Sequence, residues 1–168
     1  MIALVLASAS TSRHVLLKAA GLGVTIDPAN IDENPVKMAM AAGGRSAADT
    51  ALALAIRKAV VVSPRHPGAL VIGGDQILHC GGRWFDKPET TDQARAHLVA
   101  LRGRRHALAT AVAVVRDGMD TVAPLRECLS HDARLFRCFS RKLFSSSGRG
   151  GLLDCRRLSL GRIWCASL

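Results

Sequence analysis

Four residues that can hold phosphate lie together early in the chain. Ser8, Ser10, Ser12 and Arg13 fall within Ser8-Ala-Ser-Thr-Ser-Arg13, between the apolar run Ile2 to Leu6 and a helical pattern. A turn from strand to helix leaves backbone N–H groups facing open space, and hydroxyls and a guanidinium add donors suited to phosphate. The segment has neither the GxxxxGKS/T of a P-loop nor the GxGxxG of a dinucleotide fingerprint. Serines ahead of a helix also act as plain caps, so both roles stay open. Asp75 follows Val71-Ile-Gly-Gly. A carboxylate at the end of a hydrophobic strand is costly unless it holds a metal, meets a partner or activates water. A turn aspartate beside two glycines is the alternative. Glu33 sits in an acid-rich stretch, Lys58 in a helical pattern and Lys87 before Pro88. Cations for the phosphates and carboxylates for Mg²⁺ are what a triphosphate site needs, although each of these residues alone fits a solvated surface charge.

The elements that must position these groups follow from periodicity. Ile2 to Leu6 reads as a buried strand, and Arg13 to Ala20 as a helix with Val15, Leu16 and Ala19 on its core side. Ser10, Thr11 or Ser12 can cap that helix, and Gly21 can end it. Val24 to Ile26 fits a second strand. Asp27 to Lys37, with Pro28 and Pro35, reads as a loop. Ser46 to Val62 is a strong helix capped by Ser46, with Asp49 in its first turn and Lys58 on or beside the apolar face. Ala69 to Gly73 is a strand running into Asp75. Ile77 to His79 continues extended, Gly81-Gly82 turns, and Arg83 to Phe85 returns as a hairpin. A helix over Thr91 to Leu101, a strand over His106 to Val115 and a turn at Asp117-Gly118 into Met119 to Ala123 complete an α/β or α+β pattern. Beyond Pro124 the periodicity fails.

Composition narrows the class. The chain has 168 residues, 49% hydrophobic and 21% charged, which suits a single globular domain rather than a disordered one. Aromatics are 4% and Tyr is absent, so Ala, Val, Leu and Ile must build the core. No apolar run is long enough to span a membrane. No basic residue precedes the short apolar N-terminus, so it reads as a strand rather than an export signal, and the cytoplasm is the expected compartment. The five cysteines form no CxxC pair and no zinc spacing with histidine. The net charge of +10 is uneven: residues 1 to 120 hold 14 Lys+Arg against 10 Asp+Glu, and residues 121 to 168 hold 9 against 3. Four cysteines, Cys128, Cys138, Cys155 and Cys165, share that last stretch. Nucleic-acid binding is therefore weakly supported, because the excess charge sits in the anomalous segment and stacking aromatics are few.

Six ordered segments resemble the Maf family of nucleotide pyrophosphatases. Leu6-Ala-Ser-Ala-Ser10-Thr-Ser-Arg13, then Leu16-Leu17 and Gly21, is similar to the opening LASxSPRR. Ile31-Asp-Glu33 resembles DxDE, and Ala55-Ile-Arg-Lys58-Ala resembles LAxxKA. Val71-Ile-Gly-Gly-Asp75-Gln76 resembles the family's strand with its aspartate, and Asp86-Lys87-Pro88 resembles GKP. Leu101-Arg-Gly-Arg104-Arg-His106 with Thr110-Ala-Val-Ala-Val114 resembles LSGRxH with TAVAV. The resemblance implies a Maf/ITPase-like α/β fold, a mixed sheet flanked by helices in two lobes around a cleft. It implies hydrolysis of a nucleoside triphosphate to a monophosphate and pyrophosphate with Mg²⁺ or Mn²⁺, and a homodimer. Asp75 would be the general base or metal-linked carboxylate, and Glu33 would help hold the metal. Ser8, Ser10, Arg13, Lys58 and Lys87 would bind the phosphates. Ser12 and Gln76 occupy positions linked to base choice, and an Asp-Gln pair looks more like the branch acting on 7-methyl-GTP than the dTTP/UTP branch.

The match covers residues 1 to 120. Thr11 and Ser12 replace the usual Pro-Arg, which removes a phosphate contact worth roughly 1.5–3 kcal/mol. Asp86 stands where the family often has glycine. After about Thr121 the family's later motifs are missing. The charge jump, the cysteine cluster and the lost periodicity begin together, as expected if the reading frame shifts near residues 120–135 and then meets an early stop. A diverged tail is the alternative. With the tail aberrant, one cleft wall is missing, and poor solubility or weak activity is expected. Two further roles remain open at this stage, a nucleic-acid-binding protein and a non-catalytic division regulator.

Overall fold

Short apolar runs alternating with alanine-rich helices build a mixed sheet with helices on its faces, and the computed structural model describes residues 2–122 and 126–130 of it. In chain order the elements are β1 (Leu4–Leu6), α1 (Thr11–Ala19), β2 (Thr25–Ile26), α2 (Asn34–Ala42) and α3 (Ala47–Val62). A 3₁₀ turn at Ser63–Arg65 then leads to β3 (Leu70–Cys80), β4 (Arg83–Phe85), α4 (Thr91–Leu101), β5 (His106–Arg116), β6 (Met119–Val122) and β7 (Arg126–Ser130). The seven-stranded sheet runs in the order β2-β1-β3-β5-β6, with β4 added on β3 and β7 on β5. β1 is parallel to β2 and β3, and the remaining pairs are antiparallel.

Helix α3 is the scaffold. Ser46 accepts from the Asp49 amide at 3.1 Å and Asp49 Oδ2 accepts from the Ser46 amide at 3.3 Å, a capping box that fixes where the helix starts. Its buried stripe lies on the sheet, with Ala47, Ala51, Leu54 and Ala55 against Ile77, Ala109, Ala111 and Ala113, and Ala59 and Val62 against Val5, Val71 and Val115. Small residues let helix and strand approach closely. A Cβ at Gly73 would overlap the Ala55 carbonyl oxygen, so only glycine fits there. Helix α4 packs through Leu101 against Leu78, Cys80 and Phe85. Leu78 lies one residue from Ile77, so α3 and α4 cover opposite faces of β3. Gly81 and Gly82, with φ of 56° and 79°, form the two-residue hairpin that returns β3 into β4.

Several sequence expectations change. Val15 and Leu16 are 57% and 47% exposed, and the buried residue of α1 is Ser12. Periodicity marks an apolar stripe but does not say what it faces. The stretch read as a loop to Lys37 ends at Glu33, because Pro35 lies in the first turn of α2, where its missing N–H costs nothing. Asp75 is in the middle of the continuous strand β3 rather than at its end. The failing periodicity after Pro124 predicted no strand, yet β7 pairs with β5 from Arg126 to Thr110 through Ser130 to His106. The rest of the tail expected to be aberrant, residues 123–125 and 131–168, lies outside the described residues.

Candidate active site

Strand pairing creates the opening that holds the site. β5 occupies one edge of β3 from Val71 to His79. On the other edge β1 pairs only as far as Ile72, and β4 begins pairing at Leu78. Ala7 donates to the Ile72 carbonyl at 2.8 Å before the chain turns away into α1. The edge between Ile72 and Leu78 is thus left to side chains, with Asp75 at its centre. A carboxylate here is buried in a sheet yet reachable from the gap, which the strand's apolar pattern alone does not reveal.

Three further segments meet at that gap. The first is the turn into α1. Ser10 is its N-cap and accepts from the Arg13 amide at 3.4 Å. Ser10 and Ser12 Oγ atoms are 2.9 Å apart. Ser8 Oγ accepts from the Ser10 amide at 3.3 Å and from Arg13 Nη1 at 2.9 Å. One network therefore ties the hydroxyls to the guanidinium at a helix N-terminus. The second is the stretch after β2. Asp27 pins it, accepting from Arg65 Nη1 at 3.0 Å and lying 2.9 Å from His66 Nε2. It leads to Glu33 at the start of α2. The third is the segment Asp86-Lys87-Pro88 after β4.

Lys58 of α3 joins the carboxylates. Its ammonium is 2.7 Å from Asp75 Oδ1 and 2.6 Å from Glu33 Oε1. Glu33 Oε2 lies 3.2 Å from Lys37, whose ammonium also donates to Asp86 Oδ1 at 2.7 Å. Asp75 Oδ2 is buried and has no hydrogen-bond partner. Burial pushes the Asp75 carboxyl above the ordinary aspartate value, and Glu33 adds to this, while Lys58 and Arg13 act against it. Burial pushes Glu33 up as well, but Lys58 and Lys37 outweigh it and hold Glu33 below its usual value. Burial lowers the Arg13 pKa against the pull of Asp75 and Glu33. A guanidinium starts so high that it stays charged at neutral pH.

A cavity of about 700 Å³ gathers these groups. Ser8, Ser10, Arg13, Glu33, Lys58, Asp75, Gln76 and Lys87, all expected from the sequence, line it. Ser12 does not; it is buried behind Ser10. Gln76 donates to Thr110 Oγ1 at 3.3 Å. Leu78, Phe85, Pro88 and Leu108 give the cavity an apolar wall. Sequence reasoning missed Asn30, which lines the cavity with φ of 47°, and it missed the links made by Lys37 and Asp27. Lys37 carried a signal, its i,i+4 spacing from Glu33. Asn30 carried none beyond the tolerance of asparagine for left-handed backbone. Chemically, the cavity presents cations, hydroxyls and helix N–H groups to an anion beside one buried base.

Known proteins resemble the chain in sequence and shape. A sequence profile described as Maf-like protein matches residues 3–143. A nucleoside triphosphate pyrophosphatase of Paramagnetospirillum magneticum is 55% identical over 113 residues, which are 67% of this chain and 58% of that one. The protein of the same name from Granulibacter bethesdensis is 41% identical over 157 residues, 92% of this chain and 80% of that one. A 7-methyl-GTP pyrophosphatase of Mesorhizobium japonicum is 47% identical over 115 residues, 68% and 58% of the two chains. The chain thus spans somewhat over half the length of the first and third of these relatives. The structure of a HAM1 protein from Coxiella burnetii shares the fold, with a TM-score of 0.50 at 18% identity over 77% of this chain and 71% of that one. With the profile matching most of its length and a relative 41% identical over 92% of it, the chain belongs to the Maf-like protein family.

Proposed function

We propose that the chain hydrolyses a nucleoside triphosphate to a nucleoside monophosphate and pyrophosphate. The observation that carries the reading is Asp75. Its second oxygen is buried and unclaimed in the cavity that also holds Ser8, Ser10, Arg13 and Lys87. In the reaction, a water molecule adds at the α-phosphorus as the bond to the bridging oxygen breaks. The water proton passes to Asp75. Lys58 orients that carboxylate through its bond to Oδ1, which leaves Oδ2 for the water. Arg13, Lys87, the serine hydroxyls and the N-terminus of α1 hold the phosphates and offset charge on the departing pyrophosphate. The names of the relatives support the same reaction class.

The site also fits a divalent cation. Glu33 and Asp75 place two carboxylate oxygens around one cation, the Lys58 ammonium, and Asp75 Oδ2 remains free. Among the described residues no three His, Cys, Asp or Glu side chains converge. A two-carboxylate oxygen set suits Mg²⁺ or Mn²⁺, whose remaining ligands are phosphates and water. When bound, such an ion would neutralise phosphate charge.

The apolar wall and the Gln76 amide suit the nucleoside end. Asp75-Gln76 favours a modified guanine nucleotide over dTTP or UTP, and one relative carries the name 7-methyl-GTP pyrophosphatase. A cytoplasmic location and a homodimer are part of the same reading. No helix among the described residues is long and apolar enough to cross a membrane. A frame shift near residues 120–135 also remains our reading. Charge and cysteine distribution support it, whereas the profile match through residue 143 and the 157-residue alignment run against it. Resequencing with intact mass decides it.

The function is tested by incubating the full chain with Mg²⁺ and a nucleotide panel that includes 7-methyl-GTP, GTP, dTTP and UTP. Monophosphate and pyrophosphate are the expected products, with 7-methyl-GTP turned over fastest. Diphosphate with inorganic phosphate, or no product from any nucleotide, would overturn the proposal.

A further inference from the structure

Lys37 is absent from the cavity lining yet touches two of its walls. It lies one turn into α2, and its ammonium is 3.2 Å from Glu33 Oε2 and 2.7 Å from Asp86 Oδ1. Asp86 is 49 positions away in sequence and directly precedes Lys87, which lines the cavity. The contacts form one row of alternating charge, Asp75–Lys58–Glu33–Lys37–Asp86. With Lys58 on Glu33 Oε1 and Lys37 on Oε2, both oxygens of Glu33 are oriented. The far end of the row fixes the residue beside Lys87, a link that a glycine at position 86 could not make.

We propose that Lys37 is a positioning residue that tethers α2 to the Lys87 segment through Asp86, and so sets the distance between the carboxylate and cation walls of the cavity. The role rests on the pyrophosphatase reading for its effect on turnover, but not for its geometry. The Asp86 side chain is 71% exposed, so this ion pair adds little to global stability. What it constrains is a short segment after β4. Lys37 is more enclosed, at 22%, and its ammonium is shared between Glu33 and Asp86. Salt screens the exposed end, so the tether loosens as ionic strength rises.

The test compares Lys37→Met, Asp86→Asn and Lys37→Arg with the unaltered full chain. Amide hydrogen exchange over residues 83–90 is measured without nucleotide, and KM and kcat are measured with the triphosphate turned over fastest. Lys37→Met and Asp86→Asn are expected to speed exchange at Lys87. They should raise KM about two- to fivefold, the range of an exposed pair, with a smaller change in kcat. Lys37→Arg restores both, and added salt moves the unaltered protein toward the variants. Unchanged exchange over 83–90 in Lys37→Met overturns the tether. If the unaltered chain turns over no triphosphate, the pyrophosphatase reading fails, and exchange alone decides: faster exchange in Lys37→Met supports the tether and unchanged exchange sinks it.

Discussion

Asp75 is 5% exposed, and that burial makes it a base at a cost to the fold. Its folded pKa lies above the ordinary value of 3.8, so the folded state binds the proton more tightly than the unfolded chain does. The stability tied to that proton is present at low pH and is lost as pH rises from the unfolded value through the folded one. Glu33 works in the opposite sense. Its folded value lies below 4.5, so its contribution is present above that pH and lost as pH falls through the folded value. Activity should follow Asp75, because a base must be ionised to accept a proton. The acid limb of kcat/KM in a pH profile, which reports the free enzyme, is expected above pH 3.8, and a limb at or below that value contradicts the assignment of Asp75 as base. At this scale the residue types were largely legible. Serines, an arginine, two lysines and two carboxylates were identified from spacing and likeness, and all but Ser12 line one cavity. Ser12 was expected in the cavity but is buried, because α1 turns it inward behind Ser10, and helical spacing does not give that rotation.

Helix α3 illustrates what an element adds. Its capping signal, Ser46 with Asp49, was readable because a cap depends on residues three positions apart. The depth at which it lies on β3 was not readable, because that depends on Gly73, remote in sequence. Gly73→Ala places a methyl against the Ala55 carbonyl oxygen and must push α3 away from the strand. It is expected to destabilise the protein by about 1–3 kcal/mol, read as a lower denaturant midpoint. It should also impair turnover, since α3 carries Lys58 to Asp75. An unchanged midpoint would show that the close approach is not obligatory. Helices α1 and α2 show the limit of local signals. The apolar stripe of α1 predicted a core contact, yet Val15 and Leu16 face solvent. Pro35 predicted a loop, yet it starts a helix, because proline is a breaker only after the first turn.

At the scale of the whole molecule, the site arises from a register that no local pattern encodes. β1 is short and β3 is long, so the sheet opens between Ile72 and Leu78 and exposes one buried carboxylate. Strand lengths were approximately legible, but their order β2-β1-β3-β5-β6 was not. Periodicity also gave no hint of β7, which pairs with β5. The resemblance supplied what the patterns lacked, since ordered motifs separated by tens of residues carry information about which segments meet. Function therefore centres on Asp75 inside a phosphate-holding cavity. Its most direct test is Asp75→Asn in the full chain, with pyrophosphate release and nucleotide binding measured side by side. Turnover is expected to fall by at least about 10²-fold while binding persists and the melting temperature does not drop. Turnover undiminished by the substitution would contradict the account.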